Sequence, residues 1–462
     1  MKTRREVLKA AALTGLAAAC GRGGGVGTVP DDDPQMRFEP TAASSFPPRW
    51  ERTGLAEPAR IADLPETMSF PLGVSSGDVS AEGIVVNCRY TGTAPLELRV
   101  WSNQRIIKLP VTAADYGFVN VLVTGLEPDT AHSYVFVELG TREQRSPIGR
   151  FRSALSQGDL KPLVFGATSC TSSDNDLIAL KHASEREDLN AFFLLGDTTY
   201  CDGASNLQQF RDKWEGSIGR PLYRSLRAST PLVATWDDHE VDNDWNPELI
   251  GSGKLANART AFLEHIPQRR DPMAPDRVWR SIRFGRTAEV FVLDSRSERK
   301  PSSIPSSSPL YISAEQLGWL KASLMASPCT FKVLLNSVPI TSFPFSAFNL
   351  DSWNAYQAQR RDLLEFIDTN VTGALWLSGD HHFASVGRVS ASGAGASQIE
   401  ALAGPGAQGA SPLWRGCTTS QWDYAGPDNN YLAVHLDPQS REARLVFWGV
   451  NGTRIQDHRY TL

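Results

Sequence analysis

The sequence is poor in cysteine, has no basic excess and lacks long apolar runs, and each absence removes a class of function. Its 462 residues include only 6 cysteines, and no CxxC spacing indicates a disulfide framework or a zinc site. Basic residues number 46 against 51 acidic ones, so the net charge of −5 gives no electrostatic case for nucleic-acid binding. The apolar stretch after Lys9 falls short of the ~20 residues that span a bilayer.

The first twenty residues have the pattern of an export signal. Arg4 and Arg5 precede a modest apolar stretch and a run of small residues, which predicts export by the twin-arginine machinery to the periplasm or cell surface. An amphipathic N-terminal helix is the alternative. Cys20 follows three alanines and resembles a lipoprotein cleavage site in which Ala replaces the usual Leu. The sequence therefore leaves two alternatives, a lipid anchor at Cys20 or cleavage near the alanines without an anchor.

The rest of the chain divides by composition and pattern. Residues 21–66 are rich in Gly, Pro, Asp and Ser and are predicted to be a linker. Residues 67–155 show closely spaced short strand patterns, which predict a β-sandwich domain. Its corner sequence LEPDT, at 126–130, resembles that of fibronectin type III modules. We expect this domain to pack on the catalytic domain and shape its cleft, with partner binding as the alternative.

Residues 160–462 alternate between strand and helix patterns and are predicted to be an α/β catalytic domain with helices on the faces of the sheet. Four polar clusters in it directly follow apolar strand patterns: Ser169-Cys170, Gly196–Tyr200, Trp236–Glu240 and Gly379–His382. Ligands of open α/β sheets bind outside the carboxyl ends of the strands. The clusters therefore predict metal-binding side chains around one crevice, and a metal-dependent hydrolase.

Three residues of the first two clusters suggest particular ligand chemistry. An ionised Asp197 at the end of a buried strand is costly without a cation, and a carboxylate can bridge two metals. Tyr200 lies three residues later, and a phenolate ligand indicates a hard ion such as Fe³⁺. Cys170 as a thiolate would favour iron or zinc. The alternatives are an Asp that caps a turn, a Tyr that only packs, and an inert buried Cys.

The later clusters supply acids, bases and further ligands. His239 is a candidate general acid for the leaving group, and one of its neighbouring carboxylates is a candidate ligand. Asp380 and His382 alternate, so on an extended segment both point the same way and His381 points away. Arg296 is a candidate for binding phosphate oxygens, with an ion pair to Asp294 as the alternative.

Taken in order, Ser169-Cys170, LGDTTY, WDDHE, LDSRSER and SGDHH resemble the motifs of PhoD-type alkaline phosphatases and phosphodiesterases of the metallophosphoesterase superfamily. GVSSGD, at 73–78, resembles the start of that family's N-terminal domain. The resemblance implies a four-layer α/β/β/α sandwich, hydrolysis of phosphate mono- and diesters, and Fe³⁺ with Ca²⁺, other divalent metals being the alternative. It implies substrate contacts for Arg296 and Arg299. The implied metal ligands are Cys170, Asp197, Tyr200, Asp380 and His382, with Asp238, His239 or Asn243 completing a second site.

The sequence departs from this resemblance at named positions. Cys201 and Asp202 stand where the family commonly has Glu after its ligand Tyr, and Asn336 ends a strand where related enzymes often have a His ligand. Purple acid phosphatases share the GDxxY spacing, but they would be expected to have GNHE and GHxH where this chain has DDHE and GDHH. Competing functions are a phosphodiesterase for lipid head groups or extracellular nucleic acid, and a non-catalytic surface binding protein.

Overall fold

The computed structural model describes residues 56–103, 105–171, 176–343 and 351–462. The predicted signal segment 1–20 and the linker up to residue 55 lie outside the described residues. Within the described part of the chain, no helix is both long enough and apolar enough to cross a bilayer.

Seven helices and twenty-one strands make up the regular structure of the described residues. The helices are α1 Ala56–Ala62, α2 Ile178–Glu185, α3 Leu207–Ile218, α4 Pro221–Ser229, α5 Ser252–His265, α6 Ala314–Ala326 and α7 Gln357–Asn370. The strands are β1 Val74–Gly77, β2 Gly83–Arg89, β3 Leu96–Trp101, β4 Ile106–Val111, β5 Phe118–Thr124, β6 Ala131–Glu138, β7 Gln144–Arg145, β8 Gly149–Arg152, β9 Leu163–Thr168, β10 Ala191–Leu195, β11 Leu232–Thr235, β12 Arg280–Phe284, β13 Ala288–Val292, β14 Phe331–Asn336, β15 Ala374–Ser378, β16 Ala384–Arg388, β17 Ile399–Leu402, β18 Trp422–Gly426, β19 Asn430–Asp437, β20 Glu442–Gly449 and β21 Arg454–Thr461.

Two large mixed sheets form the centre of this α/β fold. The nine-stranded sheet has the order β21-β20-β19-β9-β10-β11-β1-β2-β5, and the seven-stranded sheet has the order β12-β13-β14-β15-β17-β16-β18. Strands β9, β10 and β11 are parallel, as are β13, β14, β15 and β17. The predicted strand–helix alternation from residue 160 onward is confirmed, because parallel neighbours need crossover connections.

The side-chain alternation of the strands assigns each sheet face to a different core. On β10, Phe193 and Leu195 join an apolar cluster shared by both large sheets, whereas Phe192 and Leu194 join a cluster with helices α3 to α5. On β15, Trp376 packs on the opposite side, in a cluster with residues of α6 and α7. Each such fully buried side chain contributes about 1.5–3 kcal/mol relative to exposure, so both faces of each sheet stabilise the fold.

The N-terminal segment shares a sheet with the rest of the chain, which the sequence pattern did not predict. Strand β1 pairs in parallel with β11, and β2 and β5 extend the same nine-stranded sheet to its edge. Strands β3, β4, β6, β7 and β8 form a separate five-stranded sheet. Apolar residues of β2 and β5 lie in one cluster with those of β3 and β6. The predicted division at residues 155–160 stays a prediction, but β-sheet pairing crosses it.

Several short helices and strands were not predicted from the sequence. Helix α4 begins with a proline at its first position, a start signal that PLYRSLRAS does carry. Strand β16 contains Gly387 and a shift of register, and β21 is an edge strand rich in polar residues. Without a regular apolar alternation, strands of this kind lack the main signal by which a sequence predicts them.

Candidate metal centre

The four polar clusters meet in space, although their strands belong to two sheets. Strands β9, β10 and β11 end at the first three clusters in the nine-stranded sheet, whereas β15 ends at the fourth in the seven-stranded sheet. The one crevice that the clusters predict therefore lies at a junction between two sheets. A Cβ on Gly379 would lie 2.5 Å from the Cβ of Ser169, so only glycine allows this approach.

Cys170, Asp197 and His382 form the first group of possible ligands. Each offers one ligand atom, and these atoms lie within 4.8 Å of one another. Cys170 and Asp197 are buried, while the His382 side chain keeps 28% of its surface exposed. A thiol, a carboxylate and an imidazole are donors that suit iron or zinc. The sequence prediction that these three residues come together agrees with this geometry.

Asp197, Asp238 and His239 form a second group with the same spacing. Asp197 is common to both groups, so its carboxylate lies between them. One carboxylate oxygen, Oδ1, is buried without a hydrogen-bond partner among the described residues. An unpaired buried carboxylate oxygen is costly, and a bound cation would remove that cost. The donor set and this oxygen fit a metal centre of two ions.

Tyr200 lies beside Asp197, as its spacing predicted. Its hydroxyl oxygen is 3.4 Å from Asp197 Oδ2, and its ring lies 4.1 Å from that of His239. Burial, followed by the charges of Asp197 and Cys170, raises the pKa of the Tyr200 phenol well above its usual range. A phenolate there would consequently need a cation beside it.

The same electrostatic argument applies to the other donors of the first group. Burial raises the pKa of the Cys170 thiol, and the neighbouring Asp197 raises it further. Burial also raises the pKa of Asp197, against the opposing effect of the two histidines. Because burial disfavours the charged forms of these donors, an ionised set of donors would need a cation to offset that cost.

Four residues at the strand ends have left-handed backbone conformations. The φ angles are 54° for Cys170, 54° for Asp197, 70° for Asp380 and 55° for His382. This conformation costs an L-residue other than glycine roughly 1–2 kcal/mol. Strain of this kind clusters at functional sites, where the surrounding structure holds it in place. The coincidence of strain with predicted ligands makes the junction the candidate functional site.

His239 is oriented by a carboxylate. Its Nδ1 lies 2.7 Å from Asp202 Oδ2, which leaves Nε2 for a proton transfer or a metal. Burial by itself lowers the pKa of His239, but Asp238, Asp197 and Asp202 outweigh that effect and raise it to about 10. Asp202, which departs from the family pattern, is thus the hydrogen-bond partner of the candidate general acid His239. The sequence did not predict this role.

In the last cluster, His382 lies beside Cys170 and Asp197, but the predicted extended conformation of the segment is wrong. The segment is not extended, because Asp380 and His382 both have positive φ, so the alternation argument does not apply. Asp380 Oδ2 lies 2.9 Å from His381 Nδ1, and Asp380 belongs to none of the ligand groups found among the described residues. The His381 ring packs 5.2 Å from Phe343. Whether Asp380 binds a metal therefore stays a prediction.

Asn243 stays a predicted metal ligand. It is exposed, and its amide donates to Asp244 Oδ2 at 2.8 Å. Asp244 lies with Asp238 and Asp351 in a third acidic group. Asp244 belongs to the same acidic run, so the sequence carried a signal for it. Asp351 lies outside any strand-end motif, so no signal in the sequence predicted its place in this group.

The two arginines expected to bind substrate are engaged elsewhere. Arg296 is wholly buried, donates to both oxygens of Asp237 at 2.7 and 3.0 Å, and pairs with Asp351. Arg299 is buried as well, pairs with Asp351 and donates to the carbonyl oxygen of Trp245. The geometry corrects the predicted phosphate contact to a structural ion-pair network. The alternative ion pair of Arg296 with Asp294 is not formed, since only the Arg296 backbone N–H contacts that carboxylate.

The two departures from the family pattern have structural roles. Cys201 lies in the apolar cluster against the helices and is buried. Asn336 donates to the carbonyl oxygen of Val338 and accepts from the Ser295 hydroxyl, both at 2.5 Å. Cys201 belongs to none of the groups of possible His, Cys, Asp and Glu ligands among the described residues.

A comparison with protein-family models matches residues 165–410, more than half of the chain, to the PhoD-like phosphatase model. The chain belongs to the PhoD-like phosphatase family. The matched range contains all four strand-end clusters, so the resemblance seen in the motifs is confirmed.

Comparisons with individual proteins agree with this family assignment. Alkaline phosphatase D of Bacillus subtilis (strain 168) is 27% identical over 378 residues, which are 68% of this chain and 64% of the relative. The chain thus spans just under two thirds of the length of that curated relative. A solved structure of PhoD superposes with a TM-score of 0.73 at 22% identity, covering 86% of this chain and 89% of that one. A structure of a purple acid phosphatase from yellow lupin (Lupinus luteus) seeds superposes with a TM-score of 0.63 at 13% identity, covering 84% of this chain and 73% of that one. Both structures support the fold.

Proposed function

We propose that this protein is a metal-dependent phosphoesterase that hydrolyses phosphate mono- or diesters. The observation that carries the proposal is the position of Asp197, whose carboxylate is shared by two possible ligand groups and has one buried oxygen without a hydrogen-bond partner among the described residues. Membership of the PhoD-like phosphatase family supports the same reaction class.

Cys170, His382 and Tyr200 would hold one ion together with Asp197, and Asp238 would hold the other. A phenol and a thiol favour Fe³⁺ in the first position, while the more carboxylate-rich second position suits Ca²⁺ or another divalent ion. Bound metal ions lower the pKa of water and neutralise charge on phosphoryl oxygens.

The remaining chemistry belongs to the side chains of the chain itself. His239 holds a proton, because its carboxylate neighbours raise its pKa to about 10, and it can give that proton from Nε2 to a leaving oxygen. Asp202 holds the imidazole in that orientation through Nδ1. Arg296 and Asp237 keep the segment that carries Asp238 and His239 in place from behind.

The direct test is Asp197→Asn, with Asp437→Asn as a matched control in a surface turn, where it accepts from the backbone of Gln439. We expect Asp197→Asn to lose nearly all hydrolysis of p-nitrophenyl phosphate and of its bis-ester while keeping its fold by circular dichroism. Turnover equal to wild type in Asp197→Asn would refute the assignment. Metal bound by the wild-type protein without hydrolysis of either ester would favour a binding protein.

Three further proposals accompany this function. We propose that the fold is a four-layer α/β/β/α sandwich with an N-terminal fibronectin-like module. The three apolar clusters on the faces of the two large sheets support the layers.

We propose export by the twin-arginine route, with a lipid anchor at Cys20 as its variant. The sequence pattern of residues 1–20 supports this proposal. A diesterase for lipid head groups is the alternative activity, and the ratio of mono- to diester turnover separates the two.

A further inference from the structure

Glu240 is a wholly buried carboxylate held by backbone N–H groups of two site loops. Its Oε2 accepts from the backbone of Asp197 at 3.1 Å and of Asp237 at 2.9 Å, and its Oε1 accepts from the backbone of Thr198 at 2.6 Å. Asp197 and Asp237 are not neighbours in sequence, because Asp197 follows strand β10 and Asp237 follows strand β11. Glu240 therefore connects the loop of the shared ligand to the loop of the second ligand group.

The loop after β10 binds the Glu240 carboxyl group through two consecutive backbone N–H groups. Gly196 has φ 95° and Asp197 has φ 54°, and the successive N–H groups of Asp197 and Thr198 converge on the Glu240 carboxylate. Consecutive N–H groups that point to one side form a concave site for a negative group. Here a side chain of the same protein occupies that site, and its hydrogen bonds hold the strained conformation that directs the Asp197 side chain.

The two loops are also in direct contact. A Cβ on Gly196 would lie 2.5 Å from the Cβ of Asp237, so the loops approach as closely as glycine permits. Asp237 is fixed from its other side by Arg296 and by the hydroxyl of Ser337 at 2.8 Å. A shift of either loop would consequently change the distance between Asp197 and the residues that follow Asp237.

We propose that Glu240 is a positioning residue, which sets the orientation of the Asp197 carboxylate and the spacing between the two ligand groups. It contacts neither substrate nor metal in this role. The inference rests on the proposed function in one respect, because it takes Asp197 to be a metal ligand.

The test compares Glu240→Gln with wild type, using Co²⁺ alone as a spectroscopic probe of the purified full chain. Glutamine keeps the size, but its amide nitrogen would face a backbone N–H instead of accepting from it. Loss of a group that orients a ligand typically weakens metal binding or activity by 10–100-fold, and we expect Co²⁺ affinity to fall by about that factor. The Co²⁺ absorption bands should shift as well, and kcat should fall while KM stays near the wild-type value.

Asp78→Asn is the matched control. Asp78 is also a buried carboxylate, and it accepts a backbone N–H from Arg269 at 2.8 Å and two bonds from Arg280, but it contacts none of the ligand groups. We expect this variant to lower the unfolding temperature and to leave Co²⁺ affinity and spectrum unchanged. If Glu240→Gln does not fold, Glu240→Asp, which keeps the carboxyl group on a shorter side chain, serves in its place.

The outcomes separate this inference from the proposed function. Wild-type Co²⁺ affinity in folded Glu240→Gln, or an equal loss in Asp78→Asn, would overturn the positioning role. A wild-type protein that binds Co²⁺ but hydrolyses no phosphate ester would refute the proposed function, and the Co²⁺ comparison would still decide the role of Glu240. A wild-type protein that binds no Co²⁺ and contains no other metal by elemental analysis would overturn both.

Discussion

Arg296 and Asp237 form a completely buried ion pair with two hydrogen bonds, at 2.7 and 3.0 Å, directly behind the candidate metal centre. Removing one partner of a buried pair leaves the other charge uncompensated, so we expect Arg296→Ala to lower the free energy of unfolding by about 3–5 kcal/mol. Urea denaturation measures this change. Arg361→Ala, at an exposed helix position, is the control and should leave stability unchanged. Unaltered stability together with a raised KM in Arg296→Ala would instead support the substrate contact expected from the sequence.

Tyr200→Phe tests whether the phenol binds iron. If the centre holds Fe³⁺, the wild-type protein should show a visible charge-transfer band between the phenolate and iron, and this band should vanish when the hydroxyl group is removed. Visible spectroscopy with elemental analysis measures both the band and the iron content. Tyr116→Phe, at an exposed tyrosine, should keep the band. A band that persists in Tyr200→Phe would remove Tyr200 from the ligands.

His239→Asn tests the proton donor through the leaving group. General-acid assistance typically contributes 10²–10⁴-fold, so we expect kcat for an alkyl phosphate to fall by about 10²-fold or more. The loss should be smaller for p-nitrophenyl phosphate, whose leaving group departs without a proton. His458→Asn, on strand β21, should change neither rate. Equal losses for both esters would indicate a metal ligand rather than an acid.

Asp188 and Arg186 give a pH dependence of stability away from the site. The Arg186 Nε donates to Asp188 Oδ1 at 2.7 Å. Burial by itself raises the pKa of Asp188, but Arg186 outweighs it and holds the pKa below its usual range. A carboxyl group whose folded pKa is lowered stabilises the protein above its unfolded pKa of about 3.9, and that stability disappears as pH falls through the folded pKa.

Asp188→Asn should accordingly unfold at a lower temperature than wild type near pH 7. This difference should shrink as the pH falls below about 4, because the wild-type carboxyl then becomes protonated too. Thermal unfolding across this pH range measures the difference. Asp212→Asn, at an exposed helix position, should unfold like wild type throughout. A constant difference between Asp188→Asn and wild type at all pH values would contradict the ionic origin.

Local sequence determined the strand ends and the residues that follow them. Apolar runs such as AFFLL and ALWLS became β10 and β15 within a residue or two of their predicted bounds, because buried strands need continuous apolar side chains. The polar clusters behind them follow from the same local pattern. Cys170, Asp197, Tyr200 and His382 could therefore be predicted as neighbours before any contact was known.

Only the tertiary structure decided which side chains pair. The junction of two sheets, the shared strand pairing of β1 with β11, and the roles of Asp351 and Glu240 depend on contacts between residues far apart in sequence. An arginine near a phosphatase motif can bind phosphate or a buried carboxylate with equal chemical ease. Burial decides between them, and burial is a property of the packed chain rather than of the local sequence.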